Sequence, residues 1–499
     1  MMQEQIGELA ARYLLRANEA PDDAALIYAR APLSGRILSW SDIANRSDDL
    51  LARYRSAGLG PGARCAVMLA DHVDMIPALV ALWRVNATAV LVDSAWGRRL
   101  RDSVVEHSGA DFGLDMLRDG ELTRVQEAQE FNYPLPDGTA MLGYTSGSTG
   151  DPKGIPFTHG KLALTMYYSA AACTARRGAP ITRIGCSARL SGSGVLNLNY
   201  TWAPFADAAT VILPELTPIN ARDYWSRIEE HAVDQFYLFP AQVEMVNQFS
   251  TARTLTETKP LCLTGSAPVS ERLQQRFKER FGLPLINCYG ISEAMCTIFF
   301  GNLDHDGNST ADIGVPWLLQ ARLVDNHGAT VNGEGEGELQ LSGPTLLNYY
   351  YGNDAATEQA FDGRWFRTGD VVHRSDTGIY RIAGRRKHVV MKGGFSIYLN
   401  EVEEAALSVP GVVEAAGVPL DVDGLEDIGL IVRFGTTSAA SPADVLEELR
   451  ETLGPQRSPL RVISTRSPLP RTGPEKLDRR AVQQLWERET SSVEAAQPL

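Results

Sequence analysis

The chain has 499 residues, 44% of them hydrophobic and 22% charged, and carries a formal net charge of −14. That length asks for about two to four domains of an ordinary globular protein. The acidic balance excludes a basic nucleic-acid surface, and cysteines scattered at 65, 173, 186, 262, 288 and 296 with no C-x-x-C pair exclude a disulfide framework or zinc centre.

The chain opens with Met1-Met2-Gln3-Glu4-Gln5, which lacks the basic stretch and apolar core of a signal peptide. The longest apolar run, Ile76 to Trp83, is too short to span a bilayer. A cytoplasmic protein without a membrane span is expected. Ala66–Leu69 and Ala89–Val92 read as buried strands flanking a helix at Met75–Val85. Met141-Leu142-Gly143 reads as the end of another strand, and similar runs follow at Thr210–Leu213, Gln235–Phe239, Leu261–Thr264 and Leu285–Cys288, with helices between. Repeated strand–helix–strand units imply parallel sheets covered by helices. Near residue 320 the texture changes to hairpin strands, Gln320–Val324 and Gly337–Leu341, with a further hairpin from Trp365 to Ile382. Beyond Gly384-Arg385-Arg386-Lys387, strand and helix signals (Val389–Met391, Glu401–Leu407, Ile428–Phe434, Ala443–Leu453, Arg461–Ile463) make a compact α+β unit. Residues 489–499 are polar and are expected to fray.

The most informative stretch is Tyr144-Thr145-Ser146-Gly147-Ser148-Thr149-Gly150-Asp151-Pro152-Lys153-Gly154. Glycines let backbone N–H groups fold around phosphate oxygens, hydroxyls add donors, and Lys153 adds a mobile cation. Gly/Ser-rich stretches are usually linkers, but the ordered core and the Pro-Lys-Gly end are poor linker chemistry. The stretch also fails the Walker A pattern, because Gly154 follows Lys153 where Ser or Thr is needed. A different kind of ATP site is indicated.

Further stretches carry chemistry. Asn287-Cys288-Tyr289-Gly290-Ile291-Ser292-Glu293 follows a strand and offers an aromatic ring plus a carboxylate. Gly265-Ser266-Ala267-Pro268 is a small-residue turn after a strand, and Phe366-Arg367-Thr368-Gly369-Asp370 places an acid on a tight turn, where a carboxylate can accept from a ribose diol. Gly384-Arg385, the glycine-containing run Lys392-Gly393-Gly394-Phe395-Ser396-Ile397-Tyr398, and Leu469-Pro470-Arg471-Thr472-Gly473-Pro474-Glu475-Lys476 complete the set.

In order and spacing these segments resemble the signatures of the acyl-adenylate-forming superfamily: acyl-CoA synthetases, adenylation enzymes and beetle luciferases. The resemblance covers essentially the whole chain, and the Gly-Gly-Phe loop is most similar to acyl-CoA synthetases. It implies an α/β fold, with a large N-terminal domain (1–385) of two parallel-rich αβ sheets plus a small β subdomain (about 310–385), and a small mobile α+β C-terminal domain (386–499) hinged near Lys387. It implies that Thr145, Ser146, Gly147, Ser148, Thr149, Gly150 and Lys153 hold phosphates. Gly265, Ser266, Ala267, Asn287, Tyr289 and Gly290 surround adenine, with Tyr289 stacked on it. Ser292 donates to the α-phosphate, Glu293 holds Mg²⁺ with Thr145, and Asp370 and Arg385 take the ribose. Lys476 closes over the substrate carboxylate and α-phosphate, while Gly393 and Gly394 line the path of a pantetheine thiol. Ser191, Gly192 and Met295 fall at the acyl pocket, with Asn197, Asn199 and Cys296 nearby. Polar side chains such as Asn197 and Asn199 on a helix face are more often solvated.

Three departures stand out: Ser292 where Thr is usual, Leu399 where Pro is frequent, and Glu475 where Gly usually precedes the lysine. The implied reaction uses ATP and Mg²⁺ to turn a small carboxylic acid into an acyl-AMP. The acyl group then passes to CoA or a phosphopantetheine arm, from a monomer or homodimer. No Asp in the 188–194 stretch offers itself to an ammonium group, which disfavours an α-amino acid. Transfer to a carrier protein or an amine stays open, as does a catalytically weak binding paralogue.

Overall fold

A computed structural model describes residues 7–116, 120–125, 133–145, 153–190, 192–251, 259–267, 269–302, 312–392, 395–422, 425–435, 438–472 and 476–494; of Cys296, Lys387, Met391, Phe395, Ser396, Lys476 and 491–494 it describes the backbone only. Two sheets dominate. In the first, six parallel strands run in the spatial order Leu285–Ile291, Leu261–Gly265, Gln235–Leu238, Arg183–Cys186, Ala209–Ile212, Ala24–Tyr28, with antiparallel strands added at both edges. In the second, Phe112–Asp115, Arg64–Leu69, Thr88–Asp93 and Thr139–Thr145 are parallel, and Lys153–Thr158 closes one edge antiparallel. Buried β-branched runs form these strands because both faces are covered by helices. The helix Met75–Arg84 is buried from Met75 through Trp83 on every side, so it is a core element rather than an amphipathic surface helix. The strands and helices expected from the sequence appear within a few residues of their expected ends.

A third, antiparallel sheet is built from Gln320–Val324, Gly335–Ser342, Trp365–Arg374 and Tyr380–Arg385 with short edge pieces. Beyond it, Val412–Val422, Leu425–Phe434 and Arg461–Ser464 make a three-stranded sheet packed on the helices Leu399–Ser408 and Pro442–Leu453. One expectation is met differently at the C-terminus. The helix Arg479–Glu494 continues into the first residues of the polar stretch 489–499 expected to fray, because Val482, Leu485 and Trp486 anchor it against Val418 and Ile431; residues 495–499 lie outside the described residues.

The two parts meet along a narrow seam. Gly384 lies under the Tyr398 ring, where a Cβ would come within 2.6 Å of it. Tyr398 donates to Glu336 at 2.7 Å, Asn400 donates to the Ala383 carbonyl at 2.9 Å, and Arg272 donates to the Ser408 carbonyl; beside them Arg381 pairs with Glu271 of its own part at 2.8 Å. Glu404 stands at this seam. Burial, then the charge of Glu403, pushes its carboxyl up from 4.5 to about 7, against the pull of Arg381. A folded value above the unfolded one means that the protonated form favours the fold. That stability is complete below pH 4.5 and is lost as pH rises through about 7. Wild type is therefore expected to lose roughly 1–2 kcal/mol between pH 5 and 8, a figure reduced because the group is partly exposed. Glu404→Gln should flatten that slope in denaturant melts at the two pH values.

Candidate active site

The phosphate stretch links two antiparallel strands instead of opening a helix. Thr145 pairs with Lys153 and Tyr144 with Gly154, so Lys153 starts from a fixed backbone. Ser146, Gly147, Ser148, Thr149 and Gly150 lie outside the described residues, as do Ser191, Gly393, Gly394 and Glu475. The Lys153 ammonium stands 4.7 Å from the centroid of the Tyr350 ring, within cation–π range. Tyr350 in turn donates from its hydroxyl to Glu293 Oε1 at 2.8 Å. The Leu347 N–H donates to the Glu293 carbonyl at 2.7 Å, and the Tyr351 N–H to the Gly154 carbonyl at 2.9 Å. Residues 347–351 thus stitch the phosphate hairpin to the Glu293 turn. Behind them, buried Arg64 donates to the Tyr351 hydroxyl at 2.5 Å, and His107 Nδ1 shares a 2.9 Å hydrogen bond with the Tyr144 hydroxyl.

The other wall lies at the C-terminal ends of adjacent parallel strands, where Gly265 sits opposite Cys288. Gly265 has φ +157°, and a Cβ there would fall 2.1 Å from the Cys288 carbonyl oxygen, so no other residue fits. Ser266, also at positive φ, stands 3.0 Å from the Tyr237 hydroxyl, and Ala267 continues the turn. Asn287 accepts from the Gly301 N–H at 2.7 Å.

The sequence places Tyr289 and Gly290 after a strand. They are still within it, because Cys296–Phe300 folds back antiparallel and extends the pairing to Ile291 across a register shift. The turn begins at Ser292, with Glu293 inside the short helix Ser292–Ala294; Met295 follows at φ 65°, fully buried.

Asp370 also differs from expectation. It lies inside the strand Trp365–Arg374, not on a tight turn. A bulge turns it inward: Gly369 takes φ +71°, Thr368 donates to the Leu339 carbonyl at 2.7 Å, and the ladder skips register there. The Asp370 side chain is 6% exposed. It accepts from Tyr289 at 2.6 Å and from Arg385 at 2.7 Å. Burial, then the Asp370 charge, raises the Tyr289 phenol far above its usual range. Burial works against the Arg385 charge, yet Asp370, Tyr289 and Glu293 together raise its pKa. The Lys153–Tyr350–Glu293 group and the Tyr289–Asp370–Arg385 group are therefore within electrostatic reach of each other.

Lys476 sits on a two-stranded hairpin, with Thr472 paired to Lys476 and Arg471 to Leu477. Two carboxylates tie the hairpin to the small sheet and its helix. Glu414 accepts from Arg471 at 2.9 Å and from the Leu469 N–H at 3.3 Å. Glu403 accepts from Arg479 at 2.9 Å and from the Gly417 N–H at 2.6 Å. The backbone of Lys387 lies in the short turn Arg386–His388. In the stretch expected to bound the acyl pocket, Gly192 and Gly194 have open space where a Cβ would point. Asn197 and Asn199, read as more often solvated, are buried in a single π-helical turn, Asn197–Thr201. Asn199 donates to the Val195 carbonyl at 2.9 Å, which meets its burial cost. π-turns of this kind are frequent beside functional sites.

Sequence reasoning missed Tyr350 and Tyr351. The run Tyr349-Tyr350-Tyr351 ahead of Gly352 was a signal, but its partners stand 57 residues away at Glu293 and on the far hairpin at Gly154.

The model of the family described as AMP-binding enzyme matches residues 15–351. The chain belongs to the AMP-binding enzyme family. This AMP-binding enzyme is 27% identical over 462 residues to a sulfoacetate–CoA ligase of Cupriavidus necator, covering 86% of this chain and 88% of that protein. It is 25% identical to a 2-succinylbenzoate–CoA ligase of Bacillus velezensis, over 95% of this chain and 98% of the relative. Its fold matches that of the O-succinylbenzoate coenzyme A synthetase from Bacillus subtilis in complex with ATP and magnesium ion, with a TM-score of 0.80 at 22% identity, covering 95% of this chain and 99% of the other. Among the described residues, no helix is long and apolar enough to cross a membrane.

Proposed function

We propose that this AMP-binding enzyme is an acid–thiol ligase that activates a carboxylic acid with ATP and passes the acyl group to the pantetheine thiol of CoA. The observation that carries this reading is the gathering of Lys153, Glu293, Asp370 and Arg385, drawn from four separate sequence stretches, into two contact groups within electrostatic reach of each other. In the first half-reaction a carboxylate oxygen bonds to the α-phosphorus as the bond to the bridging oxygen breaks, and pyrophosphate leaves. The nucleophile is already ionised, so the protein's task is to position and to neutralise. Lys153 and the stretch 145–150 hold the departing β- and γ-phosphates. Tyr289 and the 265–267 turn hold adenine, Asp370 and Arg385 the ribose, and Ser292 the α-phosphate.

Thr145 and Glu293 would hold a magnesium ion that neutralises phosphate charge. One hydroxyl and one carboxylate suit an ion that keeps waters and phosphate oxygens as its other ligands; among the described residues no cluster of three His, Cys, Asp or Glu competes for it. Lys476 covers the carboxylate and α-phosphate during this step. The part from residue 386 onward then rotates about Lys387, withdrawing Lys476 and bringing in the Gly393–Gly394 stretch. The thiol sulfur attacks the acyl carbon, the bond to AMP breaks, and the thiol proton passes to solvent. Ser191, Gly192 and Met295 bound the acyl pocket.

A pyrophosphate-release screen tests the reading, with CoA, an amine and a carrier protein each offered as acceptor. Acids bearing a second anionic group come first in the panel. Sulfoacetate and 2-succinylbenzoate, the acids in the relatives' names, share that feature, and exposed Arg189, just after a strand of one main sheet, donates at 3.3 Å to Ser94, just after a strand of the other. Acid-dependent pyrophosphate with thioester formed only with CoA is the expected result. ATP binding with no pyrophosphate across the panel would favour a binding protein instead.

A further inference from the structure

We propose that Tyr350 is a positioning residue that sets the Glu293 carboxylate and the Lys153 ammonium for the incoming nucleotide phosphates. The proposal rests on the roles given above to those two charges. Tyr350 touches both: its hydroxyl donates to Glu293 Oε1 at 2.8 Å, and its ring face lies 4.7 Å from the lysine nitrogen. A phenol has one proton to donate, and spending it on Oε1 fixes the rotation of the carboxylate. The ring is itself held. The residue is 4% exposed, its backbone N–H donates to Thr357 Oγ1 at 2.9 Å, and the next residue is bonded to Gly154 of the same hairpin as Lys153.

The chemistry of the spacer matters. A direct lysine–glutamate ion pair would satisfy both charges and would have to be broken before either could meet a phosphate or its metal. A tyrosine gives each charge a neutral partner, weak enough to yield and rigid enough to orient. Groups of this kind, which orient a metal ligand without touching the metal, typically change metal affinity 10- to 100-fold when removed, as an order of magnitude.

Calorimetric titration of ATP into the full-length protein over a range of Mg²⁺ concentrations tests this without any need to know the acid. Tyr350→Phe keeps the ring and its packing but loses the hydroxyl. It should raise the Mg²⁺ needed for half-maximal ATP binding by about tenfold, leaving ATP affinity at saturating Mg²⁺ unchanged. Tyr350→Leu also removes the ring face and should weaken ATP binding even at saturating Mg²⁺. In a Glu293→Gln background, Tyr350→Phe should add nothing. A Mg²⁺ requirement that Tyr350→Phe leaves unmoved, in a protein that binds MgATP, overturns the proposal. So does an equal Tyr350→Phe effect in both backgrounds, which would mark a packing role. Failure of wild type to bind ATP at any Mg²⁺ concentration would instead overturn the nucleotide reading of Lys153 and Glu293, and this proposal with it.

Discussion

Lys476→Ala is expected to slow pyrophosphate release by about 10²–10³-fold, the loss typical when one donor aimed at developing charge is removed. Transfer to CoA from supplied acyl-AMP should continue, because the proposed rotation about Lys387 withdraws the hairpin carrying Lys476 from that half-reaction. The reason is electrostatic. As the carboxylate closes on the α-phosphorus, negative charge concentrates on the equatorial oxygens, and a compact ammonium stabilises it best. The two half-reactions are read separately, as pyrophosphate released from acid plus ATP and thioester formed from acyl-AMP plus CoA. Equal loss in both would overturn the division of labour between the two orientations.

The next largest effect is expected at Asp370. Asp370→Asn keeps the volume but removes the charge that Arg385 and Tyr289 share. Hydrogen bonds to a charged acceptor contribute roughly 1.5–3 kcal/mol each, so loss of the ribose contact should weaken ATP binding by about 10- to 100-fold. Arg385 is 39% exposed, and water recovers part of its lost pairing; the cost in folding stability should stay near roughly 1 kcal/mol. Nucleotides lacking the ribose hydroxyls give the deciding comparison. Wild type should prefer ATP over 2′,3′-dideoxy-ATP, and Asp370→Asn should not. A variant that keeps the preference would place the ribose elsewhere.

Much of the fold was legible in the chain because its elements are carried by short local stretches. Strands such as Leu261–Gly265 and Thr88–Asp93 announce themselves through runs of apolar residues, since both faces of a parallel sheet are buried. What stayed hidden depends on partners distant in sequence. Tyr289 and Gly290 were expected after the strand, yet the Cys296–Phe300 strand pairs onto them and keeps them within it. The bulge at Gly369 needs Leu339 across the ladder to exist at all. Asn197 and Asn199 have polar side chains that predict exposure, yet a π-turn and local carbonyls let them be buried. Tyr350 acquires its meaning only when Glu293 and Lys153 arrive from either side.

The anchoring of the Lys476 hairpin has a consequence for recombination between relatives. Both carboxylates that hold it, Glu403 and Glu414, come from chain well upstream of their arginine partners, Arg471 and Arg479. A junction placed between Gly417 and Leu469 would part each arginine from its acid and leave the hairpin without its mount. A junction at the Arg386–His388 turn, ahead of both acids, would carry the whole assembly across intact. The heritable unit for exchanging the Lys476 hairpin is thus not a loop but a segment that begins ahead of both acids, as one starting at that turn does.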